Sequence, residues 1–438
     1  MMSADALLLE FKRQLAACGD VKRWLIGYSG GLDSRVLVEL AAEVLEPSGV
    51  LLLHVNHQLQ AQAPAWAARC VAEAARLGLA IRVVDVVPAS ASEADARDAR
   101  YEAFVRELKP GDMLLLGHHA DDQAETLLLR LVRGAGPRGL AGMPRQRRLG
   151  DAQLLRPLLA FSRSQLESWA GSRGLDWVED PSNARIDYDR NFVRHQVLQP
   201  LRERWPGVTS RLVLSADLLS ETTELVEALA RIDLDACKGP HACLAGPALA
   251  GLAPARRRNL LRFWVNDQTG VSLNAPLLAR IEQDVLQAAP DRQPSLRLGG
   301  FCLRRYRADL FLVPLRRHSS DQTLAAITLT PGLLELPGGR LSVVARTATA
   351  GSPDCLRTLE AVHLRYRRDG ERCRPVGRNG SHPLKKLFQE AGIAPWLRDE
   401  WPLLVCADEI VAVAGLWVCE GWQAEAGEPG YALDWQRA

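Results

Sequence analysis

The stretch Trp24-Leu25-Ile26-Gly27-Tyr28-Ser29-Gly30-Gly31-Leu32-Asp33-Ser34 passes from an apolar run into a glycine-rich turn. The run from Trp24 to Tyr28 reads as a buried strand. Behind the turn, Val36, Leu37, Leu40, Ala41, Val44 and Leu45 recur at helical spacing. Ser29 to Ser34 therefore form a strand-to-helix turn. There a helix N-terminus offers unpaired N–H groups and the positive end of its dipole. Paired glycines permit positive φ and close backbone approach to a ligand, while Ser29 and Ser34 add hydroxyl donors. Such a cradle suits phosphate or pyrophosphate. A plain Gly-Gly turn at a helix start would carry the same residues, so the rest of the chain must separate the two readings.

Outward from this turn the alternation repeats. Val50 to His57 reads as a second strand with a polar end, Ala65 to Leu77 as a helix, and Ile81 to Val87 as a third strand. Ser92 opens a helix over about Glu93 to Leu108. Met113 to Gly117 is a short buried strand, and Asp122 to Val132 a further helix. Strands alternating with helices predict an α/β fold with a parallel, doubly wound sheet. Ligands of such sheets bind at the carboxyl ends of the strands. That rule gathers Ser29 to Ser34, His54 to His57, and His118 with His119 along one edge. The loop is not a Walker A sequence, because no lysine precedes its last serine, nor is it Gly-x-Gly-x-x-Gly. Asp33 would repel phosphates unless a metal ion lay between them. The hexapeptide resembles the PP-loop of the ATP pyrophosphatases, which cleave ATP to AMP and pyrophosphate.

Gly117-His118-His119-Ala120-Asp121-Asp122-Gln123-Ala124-Glu125-Thr126 closes a strand and opens a helix. Asp122 and Glu125 share one helical face. An acidic first turn complementing the dipole would look alike. Two histidines precede the acids, however, and the strand rule aims all four at the phosphate loop. An acidic pocket there suits a metal or the ammonium of a cationic substrate. His118 is the functional candidate of the two histidines, and either could serve as a turn residue. His54 and His57 have His-x-x-His spacing, but a strand turns them to opposite faces. A phosphate or nucleotide contact is favoured over joint metal ligation. Arg97 and Arg100 lie one turn apart on the helix over 93–108, on a surface face by default or turned inward to an anion, whereas Arg190 and Arg194, also one turn apart, are placed to clamp a carboxylate or phosphate.

Residues 134–148 form a Gly/Pro/Arg-rich loop too long for a simple connector. Ser162 to Gly171 reads as a helix, and Tyr188 starts a helical run that Pro200 and Pro206 should break. Thr209 to about Val285 is wholly helical in pattern. Two strands, Leu296 to Leu298 and Phe301 to Pro314, follow, then a linker from His318 to Gln322. The remainder reads as a small α+β domain with a helix from Leu384 to Ala391. The implied domains are 1–208, 209–318 and 323–438. A chain of 438 residues, 47% hydrophobic, has material for a large core. It contains no apolar run of about 18 residues for a membrane helix, and its N-terminus does not read as a signal peptide. Nine cysteines, an odd number with no Cys-x-x-Cys pair, read as reduced thiols of a cytoplasmic protein. Net charge is only +2, yet ten Arg and Lys against four acids crowd Arg357 to Arg398, a pattern that suits RNA.

Taken in order, these segments resemble the tRNA(Ile)-lysidine synthetases over nearly the whole chain. The resemblance runs through Ser29 to Ser34, His54-Val55-Asn56-His57, Gly117 to Thr126 and Arg133-Gly134-Ala135-Gly136. It continues through Arg156-Pro157-Leu158, Asp180-Pro181-Ser182-Asn183 and Arg190-Asn191. Gly377-Arg378-Asn379-Gly380, Leu384 to Glu390 and Pro395 to Arg398 resemble that family's C-terminal domain, which is specific where the PP-loop marks only a superfamily. The resemblance implies an adenine nucleotide alpha hydrolase-like N-terminal domain followed by a helical and a small α+β tRNA-binding domain. It implies an ATP-dependent C–N ligase that uses ATP, Mg2+ and free L-lysine. The substrate would be the wobble cytidine of an isoleucine tRNA with a CAU anticodon, whose decoding and charging switch from methionine to isoleucine. In that scheme the cytosine 2-oxo group attacks the α-phosphate, pyrophosphate leaves, and the lysine ε-amine displaces AMP.

By the same resemblance Ser29, Gly30, Gly31, Leu32, Asp33 and Ser34 hold pyrophosphate and Asp33 engages the magnesium. An Arg of the helix over 93–108, Arg97 in preference to Arg100, is expected in the site beside the nucleotide-contact candidate His54, and His118 lies by the reacting nucleotide. Asp122 and Glu125 with Arg190 receive the lysine. No membrane partner is implied, and a homodimer is allowed. The 2-thiolating relatives carry Cys-x-x-Cys pairs and the amidotransferase-type relatives a glutaminase segment, neither of which this sequence has. A non-catalytic RNA binder would have no need of an intact Asp33, Asp122 and Glu125.

Overall fold

β1 (Arg23–Gly27) lies between β2 (Val50–Asn56) and β4 (Asp112–Leu115), parallel to both, which is why its apolar residues are buried on two faces. Leu25 points to one side and Ile26 to the other, as the period of a strand requires. The structure is a computed structural model that describes residues 4–437 except 59–61, 91, 182–184, 290–291, 316–322, 337, 350–353 and 360. The linker from His318 to Gln322, and Ser182 with Asn183, fall outside the described residues.

The sheet continues with β3 (Ala80–Asp85), β5 (Gln146–Leu149) and β6 (Ala152–Leu155) in the order β3-β2-β1-β4-β6-β5. All pairs are parallel except the β5–β6 hairpin at one edge. One face is covered by α1 (Ala4–Ala16), α2 (Leu32–Val44), α3 (Ala63–Arg76) and α7 (Arg163–Ser172). Their Phe11, Leu37, Cys70 and Leu166 pack on Ile26, Leu52 and Leu115. The other face is covered by α4 (Glu93–Glu107), whose Phe104 packs on Leu25, Leu53, Leu114 and Leu154. This is the doubly wound arrangement expected. The winding reverses between β1 and β4, and there the strand ends open a crevice.

Three local expectations are corrected. The segment 134–148 is not one loop: it holds the short helix α6 (Pro137–Leu140), which follows α5 (Ala120–Val132), and runs into edge strand β5. Basic residues alternate in and out along that strand, so their charge masked its pattern. Pro200 does not break the run after Tyr188. Val193–Leu198 winds as a π-helix between α8 (Asp189–Phe192) and α9 (Gln199–Arg204). Pro200 thereby falls at the start of α9, where its missing N–H is not required.

The third correction concerns the strand read over Phe301 to Pro314. The chain divides into two compact units, 1–225 and 226–438, and α10 (Val208–Cys237) runs through the boundary. In the second unit α11 (Gly246–Gly251), α12 (Pro254–Thr269) and α13 (Ala275–Arg280) share a core with a three-stranded sheet. Its strands are β7 (Ser295–Leu298), β8 (Phe301–Tyr306) and β9 (Asp309–Pro314). The single strand read over Phe301 to Pro314 is thus a hairpin. It turns at Arg307, whose φ of 56° is left-handed without the glycine that would have announced it. The C-terminal part adds a five-stranded and a four-stranded antiparallel sheet around Phe388, Trp396 and Trp401. Among the described residues no helix is long and apolar enough to cross a membrane.

Candidate active site

The turn after β1 is built by its own hydroxyls. Ser34 Oγ donates to the Gly31 carbonyl at 3.0 Å, accepts from Ser29 N at 3.2 Å and lies 3.0 Å from Ser29 Oγ. Ser34 is buried and closes the loop, whereas Ser29 faces the crevice. Gly30 has φ +84°, and a Cβ there would stand 3.0 Å from Cys70 Sγ. Gly31 is extended at φ −74°, so only one of the paired glycines uses the left-handed region. The first helical hydrogen bond runs from Arg35 N to Gly31 O at 2.9 Å, which leaves the N–H groups of Leu32, Asp33 and Ser34 ahead of it. Leu32 is a core side chain, 2% exposed, and can offer a ligand only its backbone. His54 is buried and donates through Nδ1 to the Tyr28 carbonyl at 2.9 Å. Burial lowers its pKa, so it is a neutral brace behind the loop and does not line the crevice.

β4 meets this loop through Gly117. A Cβ at that position would lie 2.9 Å from the Asp33 carbonyl oxygen and 3.2 Å from Ser34 N. The absence of a side chain lets the two segments touch, and His119 is carried onto Asp33. His119 Nε2 is 3.5 Å from Asp33 Oδ1 and 3.6 Å from Asp122 Oδ2, and Nδ1 is 3.5 Å from Asp121 Oδ2. Burial by itself would lower the pKa of this ring, but the carboxylates of Asp122, Asp121 and Asp33 override it and raise it to about 10. His119 is therefore a cation joining the phosphate loop to the acidic helix.

Asp122 and Glu125 do lie together on α5, but they do not form a bare acidic pocket. Arg190 donates through Nε to Glu125 at 2.7 Å and through Nη2 to Asp122 at 2.9 Å. Arg194 donates to both Glu125 oxygens, at 2.7 and 3.2 Å. The carboxylate that these two arginines clamp is the protein's own. Glu125 is wholly buried, while the Asp122 side chain keeps 12% of its surface.

His118 turns to the α4 side of the crevice. Burial, with Arg156, Arg190 and Arg97 nearby, lowers its pKa to about 3 against the pull of Asp122. Its Nδ1 is buried without a hydrogen-bond partner. Arg97 stands with this group, over the Tyr101 ring. Arg100 instead donates to His57 Nε2 at 3.4 Å. Two adjacent histidines thus have their titrations pushed in opposite directions.

Residues 7–201 match the PP-loop domain model, 244–311 the TilS substrate binding domain and 362–435 the TilS substrate C-terminal domain. A tRNA(Ile)-lysidine synthase of Alkalilimnicola ehrlichii is 42% identical over 96% of this chain and 95% of its own. One of Escherichia coli O157:H7 is 39% identical over 98% of this chain and the whole of its own. The chain belongs to the tRNA(Ile)-lysidine synthase family. Among solved structures, the U34-tRNA thiolase of Methanococcus maripaludis matches with 18% identity and a TM-score of 0.41, covering 50% of this chain and 80% of its own.

In this member of the tRNA(Ile)-lysidine synthase family, the structure gathers Asp33, His118, Asp122, Glu125 and Arg190 along one strand-end crevice, with Arg97 at its α4 side. It sets His54 and Ser34 behind the loop as supports. Sequence reasoning passed over His119, Gly117 and the ion pair from Arg194. The signal for Gly117 was present, since a glycine ending a buried strand marks close backbone approach. Nothing in the sequence ranked His119 above His118, because a turn of backbone decides which of two neighbours points inward.

Proposed function

We propose that this chain ligates free L-lysine to the 2-position of the wobble cytidine of an isoleucine tRNA with a CAU anticodon, consuming ATP. The supporting observation is the contact of Asp33 with His119 and of His119 with Asp122, which unites the phosphate loop and the acidic helix in one site. The N–H groups of Leu32, Asp33 and Ser34, with the Ser29 hydroxyl, would hold the leaving pyrophosphate. Asp33 Oδ1 is buried against His119 Nε2 at 3.5 Å, while the Asp33 side chain keeps 30% of its surface, so its other oxygen would be the hard donor a magnesium ion takes. Among the described residues no three His, Cys, Asp or Glu side chains are arranged to hold a metal ion by themselves, which suits an ion that is held by one carboxylate, substrate phosphates and water. A bound magnesium ion would neutralise charge between Asp33 and the phosphates.

Cytosine oxygen is a poor leaving group, so adenylation precedes the attack of the amine. In-line displacement at phosphorus needs positioning and charge neutralisation more than covalent help. His119, a cation beside Asp33, supplies positive charge where negative charge gathers. Asp122, the more accessible of the two acids, would receive the lysine ammonium, and the cations His119 and Arg190 beside it keep it ionised. Glu125 would act through the two arginines it anchors, and Arg190, oriented by Asp122 and Glu125, would face the lysine carboxylate. The wobble base must leave its stack to enter such a crevice. The division into a catalytic part, 1–208, and tRNA-binding parts, 209–318 and 323–438, in a cytoplasmic enzyme, belongs to the same proposal. An isoleucine tRNA transcript incubated with the protein, ATP and lysine should yield lysidine on mass analysis of its nucleosides. Unmodified cytidine at the wobble position would overturn the assignment.

A further inference from the structure

On the α4 side of the crevice three arginines converge on one tyrosine and a fourth, Arg130, stands beside them. The guanidinium carbons of Arg97 and Arg147 lie 5.2 and 5.4 Å from the Tyr101 ring centroid. Arg156 Nη2 donates to the Tyr101 hydroxyl at 3.4 Å. Arg156 is 2% exposed, donates through Nη1 to the Pro144 carbonyl at 2.7 Å, and has a buried Nε with no hydrogen-bond partner. Arg130, close enough to Arg97 to feel its charge, donates to the carbonyls of Gly139 and Gly142 at 2.7 Å each.

The contrast with the neighbouring acidic helix lies in charge balance. Asp122 and Glu125 each have arginine partners. Among the described residues, none of Arg97, Arg130, Arg147 and Arg156 has an ion-paired carboxylate. The pKa values of Arg130 and Arg156 are lowered, by burial first and then by neighbouring guanidinium groups. Holding like charges together in a half-buried place is unfavourable unless an anion completes the group. The geometry therefore points to an anion site, and guanidinium forks around a rigid aromatic suit a phosphate.

We propose that Arg97, Arg130, Arg147 and Arg156 seat a backbone phosphodiester of the RNA substrate, beside the base that enters the crevice. This rests on the tRNA-modifying function proposed above. Two observations favour the RNA over ATP as the source of the phosphate. The pyrophosphate cradle belongs to the turn into α2, on the opposite face of the sheet from α4. His119, Asp122 and His118 stand between that cradle and the arginines. A nucleotide whose base reaches past His118 therefore keeps its sugar–phosphate backbone on the α4 side.

The test is binding of the CAU-anticodon isoleucine tRNA transcript over a series of KCl concentrations, with the affinity for ATP measured separately. Arg97→Gln and Arg147→Gln are the variants of choice, because Arg97 is exposed and Arg147 half-buried. Arg147→Lys tests charge alone. Each Gln variant should weaken RNA binding about tenfold, the worth of one charged hydrogen bond. Each should also flatten the slope of log affinity against log salt by about 0.7. Affinity for ATP should not change in Arg147→Gln, the variant outside the expected nucleotide contacts, and Arg147→Lys should recover the slope. Weakened ATP binding with an unaltered RNA slope would assign the phosphate to ATP and overturn the proposal. Unaltered binding of both would reduce the cluster to a structural one and overturn it equally. Lysidine formation by the wild type, run in parallel, separates the two claims. An inactive wild type defeats the proposed function, whereas an active wild type with unaltered variants defeats only this site.

Discussion

The contact between Gly117 and the first turn of α2 predicts that Gly117→Ala disables catalysis more than it unfolds the protein. A Cβ at 117 would fall 2.9 Å from the Asp33 carbonyl oxygen, 3.0 Å from its carbon and 3.2 Å from Ser34 N. All three are main-chain atoms at a helix start pinned by the Arg35 N to Gly31 O bond, so no side chain can swing aside. Carbon–oxygen contacts become comfortable at about 3.4 Å, and the two segments must separate by about 0.5 Å. The φ of Gly117 is outside the left-handed region, so the effect comes from the contact alone. Overpacking of this kind costs about 1–3 kcal/mol of stability. Since a 1 Å misplacement can cost about a hundredfold in rate, half that displacement should lower kcat by about tenfold. The assay is tRNA-dependent pyrophosphate release with lysidine quantified by mass, alongside thermal unfolding. Gly171→Ala is the control: nothing lies within 4 Å of the added methyl, and the helix should gain about 0.5–1 kcal/mol. Wild-type kcat and melting temperature in Gly117→Ala would refute the idea that this approach sets the site.

Asp33→Ala should reduce pyrophosphate release to background while tRNA affinity persists; release at the wild-type rate would remove Asp33 from the reaction. Glu125→Gln leaves Arg190 and Arg194 without their buried partner and should cost about 3–5 kcal/mol in denaturant unfolding, with KM for lysine rising more than KM for ATP. A variant as stable as wild type, with unchanged lysine dependence, would show that the clamp is dispensable. His118, with a pKa lowered to about 3, binds its proton less readily folded than unfolded. Its contribution is complete above about pH 6.5 and is lost as pH falls toward 3. His118→Gln should therefore flatten the acid side of the stability–pH profile by at most about 1.4 kcal/mol per pH unit, and superimposable profiles would contradict the assigned environment.

Much of this architecture was legible because it rests on local rules. The apolar runs at Trp24, Val50 and Met113, each followed by a helical pattern, specified a parallel sheet. The rule of strand ends then placed the Gly30 turn, His54 and the His118–His119 pair on one edge. The hairpin at Arg307 and the strand from Gln146 to Leu149 were hidden, because no glycine marked the turn and charged residues filled the edge strand.

What the sequence determined by itself was the set of chemical groups and the edge of the sheet on which they gather, since periodicity and turn chemistry act over a few neighbouring residues. Tertiary structure alone decided how those groups share charge. Glu125 and Arg190 are 65 residues apart, and which carboxylate an arginine reaches depends on the packing of α5 against the π-helical turn at Val193–Leu198. The same holds for His119: its ring is charged because three carboxylates from two segments surround it. Asp121 and Asp122 come from its own segment, and the close approach at Gly117, a contact between main chains far apart in sequence, brings Asp33 there.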